Sequence, residues 1–105
     1  MTSGERVCRD ALAILRSRLP TARPVWLRFY QAKTEDEEGG YCRLTRSRFI
    51  IGIERKECRN CMLEALIHEY AHARAWGSTQ AGSYDHDAHW GIEMARVYQE
   101  FYGVA

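Results

Sequence analysis

The sequence predicts a small α+β domain, in the order helix, three strands, helix, loop, helix. Three observations carry this. Apolar residues recur at helical spacing near both ends and in a long stretch past the middle. Between the first two of these stretches lie three short strand-like segments bounded by turn-forming residues. The chain has 105 residues, 46% of them hydrophobic, which suffices for one core and one domain over 1–105.

Thr2 and Glu5 have capping-box spacing and precede a stripe of Cys8, Leu12, Leu15 and Leu19. Pro20 and Pro24 end that helix. Val25 to Gln31 alternates, with Val25, Leu27 and Phe29 on one side and Trp26, Arg28 and Tyr30 on the other, as in a half-buried strand. Thr34 to Gly40 is an acidic turn, read as a solvated loop. Tyr41 to Thr45, an Arg46-Ser47-Arg48 turn and Phe49 to Glu54 suggest a hairpin, so the three-stranded sheet is expected to be mainly antiparallel. Cys58 to Trp76 reads as a helix burying Leu63, Leu66, Ile67 and Tyr70, with Gly77 as its stop. A polar loop follows to Asp85. The last helix runs from about Asp87 to Tyr102 on a stripe of Trp90, Met94, Val97 and Phe101.

The net charge of +1 favours no nucleic-acid partner and excludes none. No apolar run reaches membrane-spanning length. Charged Glu5, Arg6, Arg9, Asp10, Arg16 and Arg18 leave no signal-peptide core, so a cytoplasmic, reducing setting is expected. The four cysteines are then thiols or metal ligands.

His68-Glu69-Tyr70-Ala71-His72 reads H-E-x-x-H. Histidines four apart share one helical face and can grip one metal ion, while the intervening carboxylate lies beside any water the metal holds. A catalytic zinc site has three protein ligands and an open position. Candidates for the third are His86, Glu93 and His89. His89, Glu93, Arg96 and Glu100 recur as a polar helical face, whereas His86 precedes a helix cap, where a loop can bend toward the metal; His86 is therefore preferred. The compact HExxHxxGxxH form is excluded, because Ala75 and Ser78 occupy its glycine and third-histidine positions. An upstream cysteine ligand, as in deformylases, has a thin echo in Tyr41-Cys42-Arg43-Leu44.

Ile67 to Ala73, followed by His86-Asp87-Ala88-His89-Trp90, resembles the SprT-like metallopeptidase family, which pairs H-E-x-x-H with a later H-G-x-x-[FW] element. Asp87 stands where that element has glycine. The resemblance implies a zincin-like fold over nearly the whole chain, zinc held by His68, His72 and His86, and Glu69 as catalytic base. It further implies peptide-bond hydrolysis in extended protein segments, with a link to DNA–protein crosslinks. Many members carry a C-terminal zinc-binding module with further cysteines; the sequence contains none, and functions of that module are not carried over. The competing expectations are a non-peptidase metal-dependent amide hydrolase and a catalytically silent, zinc-stabilised binding module.

In this chemistry zinc acts as a Lewis acid on water and on the scissile carbonyl, and Glu69 moves the proton from water to the departing amine. Strand Phe49 to Glu54 is expected to be an edge strand that pairs with substrate, with Gly52 permitting close backbone approach or forming a bulge. Tyr84 is read as a packing tyrosine, with transition-state stabilisation as the alternative; Trp76 and Trp90 are expected in the core. Cys58-Arg59-Asn60-Cys61 is a lone CxxC, read as buried or capping thiols in preference to a redox pair, because no βαβ pattern surrounds it. Arg43, Arg46, Arg48, Arg55, Lys56 and Arg59 cluster around the hairpin, either to meet phosphates or as a solvated basic face.

Overall fold

The chain opens with helix α1 (Ser3–Arg18), which starts where its donors are capped. Thr2 Oγ1 accepts the Glu5 N–H at 3.1 Å, and the Glu5 carboxylate accepts the Thr2 N–H at 3.4 Å, which completes the predicted capping box. Cys8, Ala11, Leu12 and Leu15 are buried on one face. The Leu19 N–H closes the last turn on the Leu15 carbonyl just before Pro20. The structure, a computed structural model, describes residues 1–76 and 88–102; the loop expected at 77–85, with Tyr84, and also His86 and Asp87, lie outside the described residues.

Strands β1 (Val25–Tyr30), β2 (Gly40–Leu44) and β3 (Phe49–Glu54) form one sheet in the order β1-β3-β2. The hairpin of β2 and β3 is present and antiparallel, but β1 runs parallel to β3, from Val25↔Phe49 to Tyr30↔Glu54. The sheet is therefore mixed rather than mainly antiparallel. The chain path is the reason. Residues 31–39, which include a short turn at Glu35–Glu37, cross from the end of β1 to a β2 that runs back two strand spacings away, leaving room for one strand between them. The tight turn at Thr45–Arg48 then returns β3 into the vacant slot, alongside β1 and in its direction.

That placement also corrects the edge-strand expectation. β3, the most apolar strand, is central and paired on both sides, while the outer edges belong to β1 and β2. Gly52 makes no bulge, because the register continues through Tyr41↔Gly52. It makes room for a side chain: a Cβ there would stand 2.1 Å from the Tyr41 ring. That ring in turn lies 5.6 Å from Tyr30 across the sheet.

One sheet face bears Val25, Cys42, Phe49, Ile51 and Ile53, all in the core with Leu12, Leu15, Met62, Leu66, Ile67 and Tyr70 from the helices. Helix α2 (Arg59–Ala75) lies between the sheet, α1 and α3 (Ala88–Tyr102). Nine of its seventeen residues are buried, and they do not form a single stripe. Leu66, Ile67 and Tyr70 are buried as predicted, whereas Leu63 is only partly so and Met62 fills the core instead. Tyr70 donates from its hydroxyl to the Leu19 carbonyl at 2.6 Å, and Arg74 donates to the Pro20 carbonyl, which ties α2 to the end of α1. Val97 is buried, Met94 and Phe101 pack on the core, and Trp76 meets Phe49 edge-on. No helix among the described residues is long and apolar enough to cross a membrane.

Gly52→Ala must displace the Tyr41 ring from the sheet, and overpacking of this kind costs about 1–3 kcal/mol. Thermal denaturation should show that loss, and a smaller one when the substitution is made in a Tyr41→Ala background.

Candidate metal centre

The H-E-x-x-H residues occupy the inner half of α2, where the helix has little contact with water. Glu69 and His72 are only 9% and 7% exposed, and His68 is half-buried. Separation by one helical turn brings the imidazoles together, and their Nε2 atoms lie 3.3 Å apart. Two nitrogens bound to zinc at 2.0–2.1 Å in a tetrahedral set lie roughly 3.3–3.4 Å apart, so this donor pair fits zinc as it stands. Trp90, from α3, sets its ring 5.1 Å from His68 and 5.6 Å from His72, in contact with both imidazoles. Trp90 was expected in the core; it packs instead against the two histidines.

Among the described residues, no third His, Cys, Asp or Glu joins the pair in a metal-holding group. Cys42 and Glu93 are both described, so neither completes the set. Glu93 is occupied elsewhere: one oxygen pairs with Arg74 at 3.0 Å and the other with Arg96 at 3.1 Å. Its side chain is 14% exposed, so this is a semi-buried clamp between α2 and α3 and not a solvated face. Arg96 was visible as an i,i+3 partner in the sequence, but Arg74, nineteen residues upstream, was not. Cys42 sits in the core, its thiol pushed up to about 12 by burial and then by the nearby Glu69 charge. His86, the preferred third ligand, lies outside the described residues, as does the His89 side chain.

Burial pushes the Glu69 carboxyl up to about 7. Its aliphatic stem faces the start of β2: a Cβ on Gly40 would lie 3.4 Å from Glu69 Cγ and 2.7 Å from the Gly52 carbonyl. Only glycine fits at Gly40 without moving backbone. Next to it opens a cleft of about 510 Å³, lined by Glu38, Gly39, Gly40, Glu64, Ala65, His68, Glu69, Met94 and Tyr98. The cleft thus joins the side of α2 that carries His68 and Glu69 to the first residues of the outer strand. The sequence marks Gly40 only as the end of the acidic turn.

The remaining candidates disperse. Cys58 and Cys61 are exposed and joined by a disulfide, in place of the expected buried or capping thiols, although Cys58 does cap α2. The six basic residues fall into two groups at opposite ends of β3, separated by roughly 17–20 Å of strand. In one, Arg48 stacks on Trp26 at 3.6 Å and Arg43 lies over Tyr41 at 5.8 Å, with Arg46 exposed beside them. In the other, Arg55 pairs with Glu5 and Lys56 with Glu54.

The chain matches no known family, no curated protein and no solved structure.

A carboxyl raised by burial favours its protonated form in the fold. In metal-free protein the stability Glu69 contributes is therefore full below its ordinary value of 4.5 and declines as pH rises to about 7. Glu69→Gln mimics the protonated form at every pH. The melting temperature of metal-free Glu69→Gln should match wild type near pH 4.5 and exceed it increasingly up to pH 8.

Proposed function

We propose that the protein is a zinc-dependent endopeptidase acting on extended or unfolded protein segments, with His68, His72 and His86 as metal ligands and Glu69 as catalytic base. The observation that carries the reading is the pair of imidazole nitrogens at zinc-ligand spacing beside a buried carboxylate, opening on a cleft at the outer strand. His86 enters from the sequence pattern alone. When bound, zinc supplies Lewis-acid activation of a water molecule and of a carbonyl oxygen.

The chain's own groups do the rest. A Glu69 oxygen accepts the proton of the attacking water and returns it to the departing amine nitrogen, so that one carboxyl serves as base and then as acid. His72, itself buried, and Trp90, packed against both imidazoles, restrict the access of bulk water to the pair. An extended substrate laid along the outer edge of β2 exchanges main-chain hydrogen bonds with it, so affinity comes from backbone and tolerates many sequences. Gly39 and Gly40 let that chain run close to Glu69. Glu69 also speaks against a silent structural site, because a purely structural zinc pair gains nothing from a carboxyl buried at a cost.

Zinc content and cleavage of a disordered protein test the reading together. Wild type and Glu69→Gln should each carry one zinc, and Glu69→Gln should lose about 10²–10⁴-fold in turnover. His72→Ala and His86→Ala should lose the metal, while Cys42→Ala should keep it. Full turnover by Glu69→Gln, or by protein stripped with a chelator, sinks the assignment.

DNA-associated substrates form part of the proposal, supported by Arg43, Arg46 and Arg48 beside the 55% exposed Trp26 on the uncovered sheet face. Binding to single-stranded DNA should weaken steeply with salt and fall further on replacing Arg46 and Arg48. Binding unaffected by both removes DNA from the proposal.

A further inference from the structure

The metal helix begins at a pair of sulfurs that the peptidase reading does not use. Cys58 and Cys61 are bonded to one another across the first turn of α2, with Cα atoms 5.3 Å apart, and both residues are exposed. That separation falls within the range disulfides require and belongs to the helical turn itself, so the bond can open and close without moving the helix. The closed loop encloses only Arg59 and Asn60, and short loops restrict the unfolded chain least. As a structural staple it is poorly placed.

Cys58 is also the N-cap of α2: its Sγ accepts the Cys61 N–H at 3.1 Å. The same N–H, with the positive end of the helix behind it, stabilises a thiolate at Cys58 once the bond is opened. No acidic residue occupies the first turn to oppose this, and Arg59 lies within it. Glu57, which precedes the pair, is the nearest acidic residue in sequence. The other two cysteines are chemically silent by comparison. Burial raises Cys8 to about 11 and Cys42 to about 12, so thiol chemistry on the folded protein is confined to this pair.

We infer that Cys58 and Cys61 form a thiol–disulfide exchange site for dialkyl disulfides and thiols such as the two forms of glutathione, with Cys58 as nucleophile and Cys61 as resolving thiol. In the dithiol form the Cys58 thiolate attacks one sulfur of the external disulfide. A Cys58–sulfur bond forms, the external bond breaks, and the first thiolate leaves and takes a proton from solvent. Cys61 then gives up its proton and attacks Cys58 Sγ, which closes the internal disulfide and expels the second thiolate. Two electrons pass from the pair to the external disulfide, and two external thiols run the sequence in reverse.

Thiol counting by alkylation and mass spectrometry on the full chain tests this without reference to hydrolysis, so the result is independent of the peptidase assignment. After reduction two cysteines should alkylate in the folded protein, after oxidised glutathione none, with Cys8 and Cys42 reacting only on denaturation. Cys58→Ser keeps a helix-capping oxygen and Cys61→Ser keeps the cap itself, so both variants should retain the helical circular dichroism of wild type. Each unit by which the Cys58 pKa falls raises thiolate tenfold and lowers its nucleophilicity about threefold. At neutral pH, Cys61→Ser should therefore trap glutathione on Cys58 faster than Cys58→Ser traps it on Cys61, by about threefold for each unit by which Cys58 is the more acidic. Equal trapping rates overturn the assignment of roles. Two thiols persisting in excess oxidised glutathione, or a zinc ion bound by the reduced pair and shielding it, overturns the exchange site.

Discussion

The whole arrangement depends on burying a helix that carries polar groups on its inner side. α2 has to fill the space between the sheet, α1 and α3, and it does so with Met62, Leu66, Ile67, Tyr70 and Ala73. Yet Glu69 and His72 are buried with them. A buried carboxylate and two close imidazoles are unfavourable without compensation. The surroundings are built to tolerate them: Trp90 packs against both imidazoles, glycines at the start of β2 border the cleft beside Glu69, and the Tyr70 and Arg74 hydrogen bonds hold the helix in place from the α1 side.

The sheet serves the same end. Because β3 is central, its apolar side chains support α2, and of the two edge strands it is β2 whose first residues reach Glu69. The two strand glycines, one opening β2 and one within β3, have different tasks that look alike in the sequence. Gly52 yields to the ring of Tyr41 on the uncovered face, whereas Gly40 yields to the Gly52 carbonyl and to Glu69 on the covered one. Neither task needs a left-handed backbone; both are matters of space.

Charge follows a similar division between local and distant partners. Glu93 has the spacing of a surface residue, but Arg74 reaches it from α2 and makes it the bond between the two helices that frame the histidines. The basic residues near the hairpin are close in sequence and are nonetheless parted by the length of β3, each group with its own aromatic or acidic partners. Cys58 and Cys61 show the opposite case, where one helical turn is enough to bring the two groups together.

Much was legible in the sequence because it depends on neighbours within a few residues. The capping box at Thr2, the alternation of β1, the hairpin turn at Thr45–Arg48 and the pairing of His68 with His72 all rest on spacings of at most four residues, which backbone geometry converts directly into contacts. Tertiary structure alone decided that β1 lies parallel to a central β3, that Gly40 borders Glu69, that Arg74 holds Glu93 and that Trp90 rests on both imidazoles. Those contacts join segments from 18 to 29 residues apart, and they follow from how the buried faces pack together, which no local pattern encodes.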